Sequence, residues 1–95
     1  MTRRILPDRR AHETIDVEHD SHRYVVGIGR FEDGRPAEIF ITSTKVGTAA
    51  DVNARDCGLL SSLLLQNGVG IDEIAHSLSP SGLIGQVARL IGGVA

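Results

Sequence analysis

The apolar residues of this chain change period once, and that change limits the architectures open to it. Up to Thr44 they recur at every second position, and from Thr48 onward they recur at helical spacing. Thr14-Ile15-Asp16-Val17-Glu18 alternates apolar and polar as a half-buried strand does, and Asp20-Ser21 follows as a turn. Arg23 to Phe31 reads as a second strand, with Tyr24, Val26 and Ile28 on one face and Val25, Gly27, Gly29 and Phe31 on the other. Glu32-Asp33-Gly34-Arg35 is the next turn, since an Asp-Gly pair readily supplies the positive φ of a tight hairpin. Ala37 to Thr44 then sets Ile39, Ile41 and Ser43 against Glu38, Phe40 and Thr42. The alternation predicts a three-stranded antiparallel meander.

After the switch, Thr48-Ala49-Ala50-Asp51 resembles a capping box, and the helix it starts is expected to run to about Asn67, with Gly68 as a left-handed stop. Val52, Leu59, Leu60, Leu63 and Leu64 form an apolar stripe, widened by Ala49, Cys57 and Leu65. A face that broad is expected to cover the sheet and to meet another subunit as well. A second helix over about Asp72–Leu78 buries Ile71, Ile74, Ala75 and Leu78, and Ser79-Pro80-Ser81-Gly82 breaks it. A third, about Leu83–Ile91, gathers Leu83, Ile84, Val87, Leu90 and Ile91 on one side. The fold class is therefore α+β, a three-stranded antiparallel β-meander followed by a long helix and two shorter helices packed on one sheet face. Residues 1–11 read as a basic N-terminal arm and residues 12–95 as a single domain.

Composition narrows the function classes. Phe31, Phe40 and Tyr24 are the only aromatic residues, too few for a base-stacking platform, and the net charge of −2 disfavours a strong polyanion binder. Nucleic acid is thus not an expected partner. Cys57 is the single cysteine, which rules out an internal disulfide and a multi-cysteine zinc site. No run is long and apolar enough for a membrane span, and no apolar segment follows the N-terminal arginines as it would in a signal peptide; the expected home is the cytoplasm. Arg3, Arg4, Arg9 and Arg10 make the arm either a partner-binding tether or a solubilising tail pairing with the acidic residues behind it.

Few residues suggest chemistry. His12, His19 and His22 lie among Asp16, Glu18 and Asp20, but their spacing matches no compact metal motif, so surface histidines are expected and no metal or other cofactor. Cys57 lies well inside the long helix, away from the helix dipole that would favour a thiolate. Gly27-Ile28-Gly29 falls within a strand, where it cannot act as a dinucleotide fingerprint. The join Ser43-Thr44-Lys45-Val46-Gly47-Thr48 holds more promise. Ser43, Thr44, Lys45, Gly47 and Thr48 combine hydroxyls, a cation, a flexible glycine and the amides of a helix start, the components of an anion- or nucleotide-binding site. The same residue types also make strand-to-helix bends for purely structural reasons.

Several blocks, in order, resemble a known family. Arg4-Ile5-Leu6-Pro7-Asp8-Arg9-Arg10 ahead of a hairpin, Gly29-Arg30-Phe31-Glu32-Asp33-Gly34, Glu38-Ile39-Phe40-Ile41, Lys45-Val46-Gly47-Thr48, Leu64-Leu65-Gln66-Asn67-Gly68-Val69 and Asp72-Glu73-Ile74 are similar to the TSCPD-type domain near the C-terminus of adenosylcobalamin-dependent (class II) ribonucleotide reductases. The likeness covers roughly residues 3 to 78. It implies a stand-alone copy of an accessory domain: the reductase's substrate barrel, active-site cysteines and terminal cysteine pair have no counterpart here. The implied function is a non-catalytic binding or assembly module, a homo-oligomer with a dimer foremost, gripping a nucleotide-like anion or a protein partner such as a reductase. Two alternatives are a subunit of a split ribonucleoside-diphosphate reductase and a phage or mobile-element protein that sequesters a host factor.

Overall fold

The computed structural model describes residues 12–92, and within them the chain runs β1 (His12–His19), β2 (His22–Arg30), β3 (Pro36–Ser43), α1 (Ala49–Gln66), α2 (Ile71–Ser77) and α3 (Leu83–Gly92). The expected basic arm, residues 1–11 with its four arginines, lies outside the described residues. The strands form one antiparallel sheet in the order β1-β2-β3, as the alternation requires. Asp20 and Ser21 both adopt positive φ, 49° and 64°, between the paired residues His19 and His22. Two left-handed residues give the turn a twist that matches the flanking strands. In the second hairpin only Gly34 is left-handed, at φ 90°, and the Asp33 carboxylate holds the turn by accepting from the Arg35 amide.

One face of the sheet carries the core. Val17, Tyr24, Val26, Ile28, Ile39 and Ile41 are buried there against Ile74 and Ala75 of α2 and Val87 and Ala88 of α3. Burying side chains of this size contributes roughly 1.5–3 kcal/mol each. Gln86 ties α3 to the end of β1: its Nε2 donates to the Glu18 carbonyl, leaving Oε1 to accept from His19 Nδ1 at 2.8 Å. At Gly85 a Cβ would lie 2.0 Å from the Ser79 carbonyl oxygen, so this turn of α3 can approach the preceding loop only without a side chain.

Helix α1 begins and ends as its sequence indicates. The Thr48 hydroxyl accepts from the Asp51 amide at the start. At the end, Gly68 (φ 95°) donates its amide to Leu65 O while Val69 donates to Leu64 O, a paired C-terminal lock that closes the helix. Its facing, however, corrects the expectation. Val52, Leu59, Leu60 and Leu64 are exposed, and the buried residues are Asp51, Ala54, Gly58, Ser61, Ser62, Leu65 and Gln66. The leucine stripe points away from the sheet, because what α1 meets is mainly the edge of a strand. Leu78 and Leu90, expected in the core, are exposed as well.

Candidate functional site

The amide of Thr44 donates to the Arg23 carbonyl, which fixes the pairing parity of β3. Even-numbered residues turn their backbone groups toward β2, and Ala37, Ile39, Ile41 and Ser43 turn theirs outward, because antiparallel pairs alternate in this way. An uncovered row of such groups invites pairing with another chain. Here α1 lies along it. Ser62 Oγ accepts from the Ile39 amide at 2.8 Å, and its hydroxyl proton is within reach of the carbonyls of Ile39 (3.1 Å) and Gly58 (2.9 Å). Gln66 Nε2 donates to the Ala37 carbonyl, and Asp51 Oδ1 accepts from the Ser43 amide. Opposite Ile41 stands Gly58, where an added Cβ would lie 2.8 Å from Ile39 O and 3.2 Å from Ile41 N. A polar and small-residue stripe is therefore what lets the helix seal the strand edge.

The strand-to-helix join brings the proposed anion-site residues together around a group of the chain's own. The amides of Ser43 and Gly47 both donate to the Asp51 carboxylate, at 3.0 and 3.1 Å, and Arg55 Nε adds a third donor at 3.2 Å. The Lys45 amide donates to Ser43 Oγ, and the Thr48 hydroxyl donates to the Lys45 carbonyl. These backbone donors, Ser43 foremost and then Gly47, hold the Asp51 carboxyl below its usual pKa even though burial pushes the other way. Thr44 and Lys45 are exposed beside this cluster. An incoming anion would have to compete with an internal carboxylate for the same amides. Asp51 was legible as a first-turn acid favoured by the helix dipole; its reach back to β3 was not.

Outside the sealed edge, β3 and α1 bound an open groove of about 230 Å³ lined by Phe40, Thr42, Arg55, Leu59 and Gln66 among others. Phe40, 51% exposed, stands on the sheet face opposite the core, and Leu59 stands on α1 across from it. Val52, Leu60 and Leu64 are exposed with Leu59 on the outward face of α1. Cys57 is half-buried; burial first, and the neighbouring Asp56 second, push its thiol pKa upward, away from a reactive thiolate. His19 is engaged by Gln86 and lies 3.3 Å from Asp20, His22 packs edge-on to Tyr24, and among the described residues no three His, Cys, Asp or Glu side chains converge as metal ligands. Nor is any helix there long and apolar enough to cross a membrane. Arg3, Arg4, Arg9 and Arg10 lie outside the described residues.

Comparison with known proteins supplies the context for these surfaces. The TSCPD domain family model matches residues 2–92. A vitamin B12-dependent ribonucleotide reductase from Bradyrhizobium diazoefficiens is 37% identical over 74 residues, which is 78% of this chain and 6% of that protein. Proteins of the same name from Rhodopirellula baltica and Agrobacterium fabrum are each 32% identical, over 78% and 83% of this chain and 7% of their own length. The chain thus spans less than a tenth of the relatives it matches. No solved structure matches it significantly.

Proposed function

The chain belongs to the TSCPD domain family, and from that premise we propose that it is a non-catalytic binding and assembly module, related to the accessory domain of cobalamin-dependent ribonucleotide reductases, whose gripping surface is the outward face of α1. One observation carries this reading: Asp51, Ser62 and Gln66 of α1 are spent on the backbone of β3, while its Val52, Leu59, Leu60 and Leu64 side chains are left in water. A helix so arranged bonds the strand through Asp51, Ser62 and Gln66 and keeps these four apolar side chains for something else. The occupancy of the Ser43 and Gly47 amides by Asp51 favours a protein partner over a nucleotide-like anion. Among protein partners, a large reductase polypeptide is the class indicated by the relatives' names.

The test is assay and capture with the same material. The purified chain, given ribonucleotide, adenosylcobalamin and a dithiol, is expected to form no deoxyribonucleotide. Immobilised, it is expected to retain a protein from its source lysate, and Leu59→Glu, which sets a charge on the outward face, is expected to release it. Reduction of a ribonucleotide by the chain unaided would overturn the reading. The relatives' names favour one second reading, a subunit of a split reductase. Restored activity on adding this chain to a catalytic polypeptide that lacks the segment would establish that reading.

A further inference from the structure

We infer that the outward face of α1, together with Phe40, docks a second copy of this chain, the two α1 helices packing antiparallel about a two-fold axis near Leu60. The inference rests on the binding-module reading and names a second copy, in place of a reductase polypeptide, as what covers that surface in the isolated protein. Val52 (51%), Leu59 (59%), Leu60 (61%), Leu64 (45%) and Phe40 (51%) are large apolar side chains with about half or more of their surface in water. Leu59 faces Phe40 across the groove, Val52 and Leu59 are two turns apart on one side of the helix, and Leu60 and Leu64 are one turn apart beside them. Together they expose on the order of 500 Å², the upper range for the largest apolar patch of a monomer. A standard interface takes roughly 800 Å² from each partner, and homodimer interfaces are about 65% apolar. The patch therefore has the apolar area that one half of such an interface needs.

Self-complementarity and charge select a second copy and its orientation. A two-fold interface requires one patch to serve both sides, and a leucine-rich helix face about 27 Å long does so. The acidic side chain on this face, Asp56, lies in its N-terminal half, whereas Leu59 to Leu65 carries no charge. An antiparallel pair centred near Leu60 sets each Asp56 opposite Leu64 of the other copy, within its uncharged half. It leaves the two Asp56 carboxylates about 12 Å apart along the axis, beyond the roughly 8 Å over which salt screens exposed charges. A parallel pairing would instead place them side by side. The outward edge of β3 is sealed by Ser62, Gln66 and Asp51, so β3 does not make the contact.

Sedimentation equilibrium on the full chain between about 1 and 500 μM tests the inference. The wild type is expected to pass from one chain to two within that range. Leu60→Glu, at an exposed position, is expected to weaken dimerisation at least about 30-fold. Leu78→Glu, an exposed leucine on another surface, is expected to leave it unchanged. Far-UV circular dichroism at the lowest concentration checks that each variant is folded, and Leu60→Ala replaces Leu60→Glu should the charge unfold the monomer. A wild type that stays a single chain at 500 μM overturns the inference, as does a dimer that Leu78→Glu disrupts as strongly as the Leu60 variants. A single-chain wild type that still captures a protein through Leu59 would overturn only the dimer and leave the binding-module reading standing.

Discussion

Replacing Ser62 by alanine separates two accounts of α1 by the sign of the result. The Ile39 amide is fully buried, and Ser62 Oγ at 2.8 Å is its acceptor. Alanine leaves that donor without a partner in a site closed to water, which costs about 1–3 kcal/mol. Against this, alanine is the better helix former by about 0.5 kcal/mol, and it removes a hydroxyl that competes for the Gly58 carbonyl. The desolvated amide wins, and the expected net loss is about 1–2 kcal/mol. In a domain of this size that lowers the melting temperature by roughly 5–15 °C. Urea denaturation followed by circular dichroism, at one fixed chain concentration, would show a lower midpoint with an unchanged slope. Hydrogen exchange would show the Ile39 amide losing more protection than its neighbours in β3. Ser61→Ala is the internal control: Ser61 Oγ donates only to the Cys57 carbonyl, one turn back in its own helix, so its removal should shift stability by less than about 0.5 kcal/mol. A Ser62→Ala protein as stable as wild type, or matching Ser61→Ala, would refute the claim that α1 seals β3 through this hydroxyl.

Two further outcomes follow from the same seam. Gly58→Ala gains about 1 kcal/mol of helix propensity, yet its methyl meets backbone at Ile39 O and Ile41 N, atoms that cannot rotate aside. Net destabilisation of about 1–2 kcal/mol is expected in urea titrations, whereas a stabilised variant would mean that the helix stands farther from the strand than described. Asp51 contributes through its ionised form: its carboxyl is held below the ordinary value of roughly 4, so its stabilisation is present above that pH and is lost as the pH falls through the lower folded value. Asp51→Asn should therefore be less stable than wild type at neutral pH, and the gap should close on acidification toward pH 2. A gap that stays constant over that range would show that the charge on Asp51 is not what the Ser43 and Gly47 amides recognise.

The elements of this fold are legible in the sequence because each rests on a local signal. Alternation marks the strands, Thr48 and Gly68 mark the ends of α1, and Asp20-Ser21 marks a turn that only left-handed residues can make. The facing of α1 is not legible in the same way. Hydrophobic periodicity locates the side of a helix that avoids water, and it identifies that side with the protein interior only when the neighbouring surface is apolar. Helix α1 instead meets the outward amides and carbonyls of Ala37, Ile39 and Ser43, a polar surface belonging to the backbone and therefore absent from any side-chain pattern. The complementary stripe was present all along as Asp51, Gly58, Ser62 and Gln66, at intervals of seven, four and four residues, but such residues ordinarily mark the solvent side of a helix. The join shows the same limit. The Ser43 and Gly47 amides do converge as an anion nest would, and what they hold is the carboxylate of Asp51, whose own amide donates to the Thr48 hydroxyl. The facing of α1 is misread for one cause: its polar side chains are assigned to water when the nearest unsatisfied groups are those of β3. Once they are assigned to the strand, Val52, Leu59, Leu60 and Leu64 are left on the outward face of α1, the side that periodicity alone would place inside.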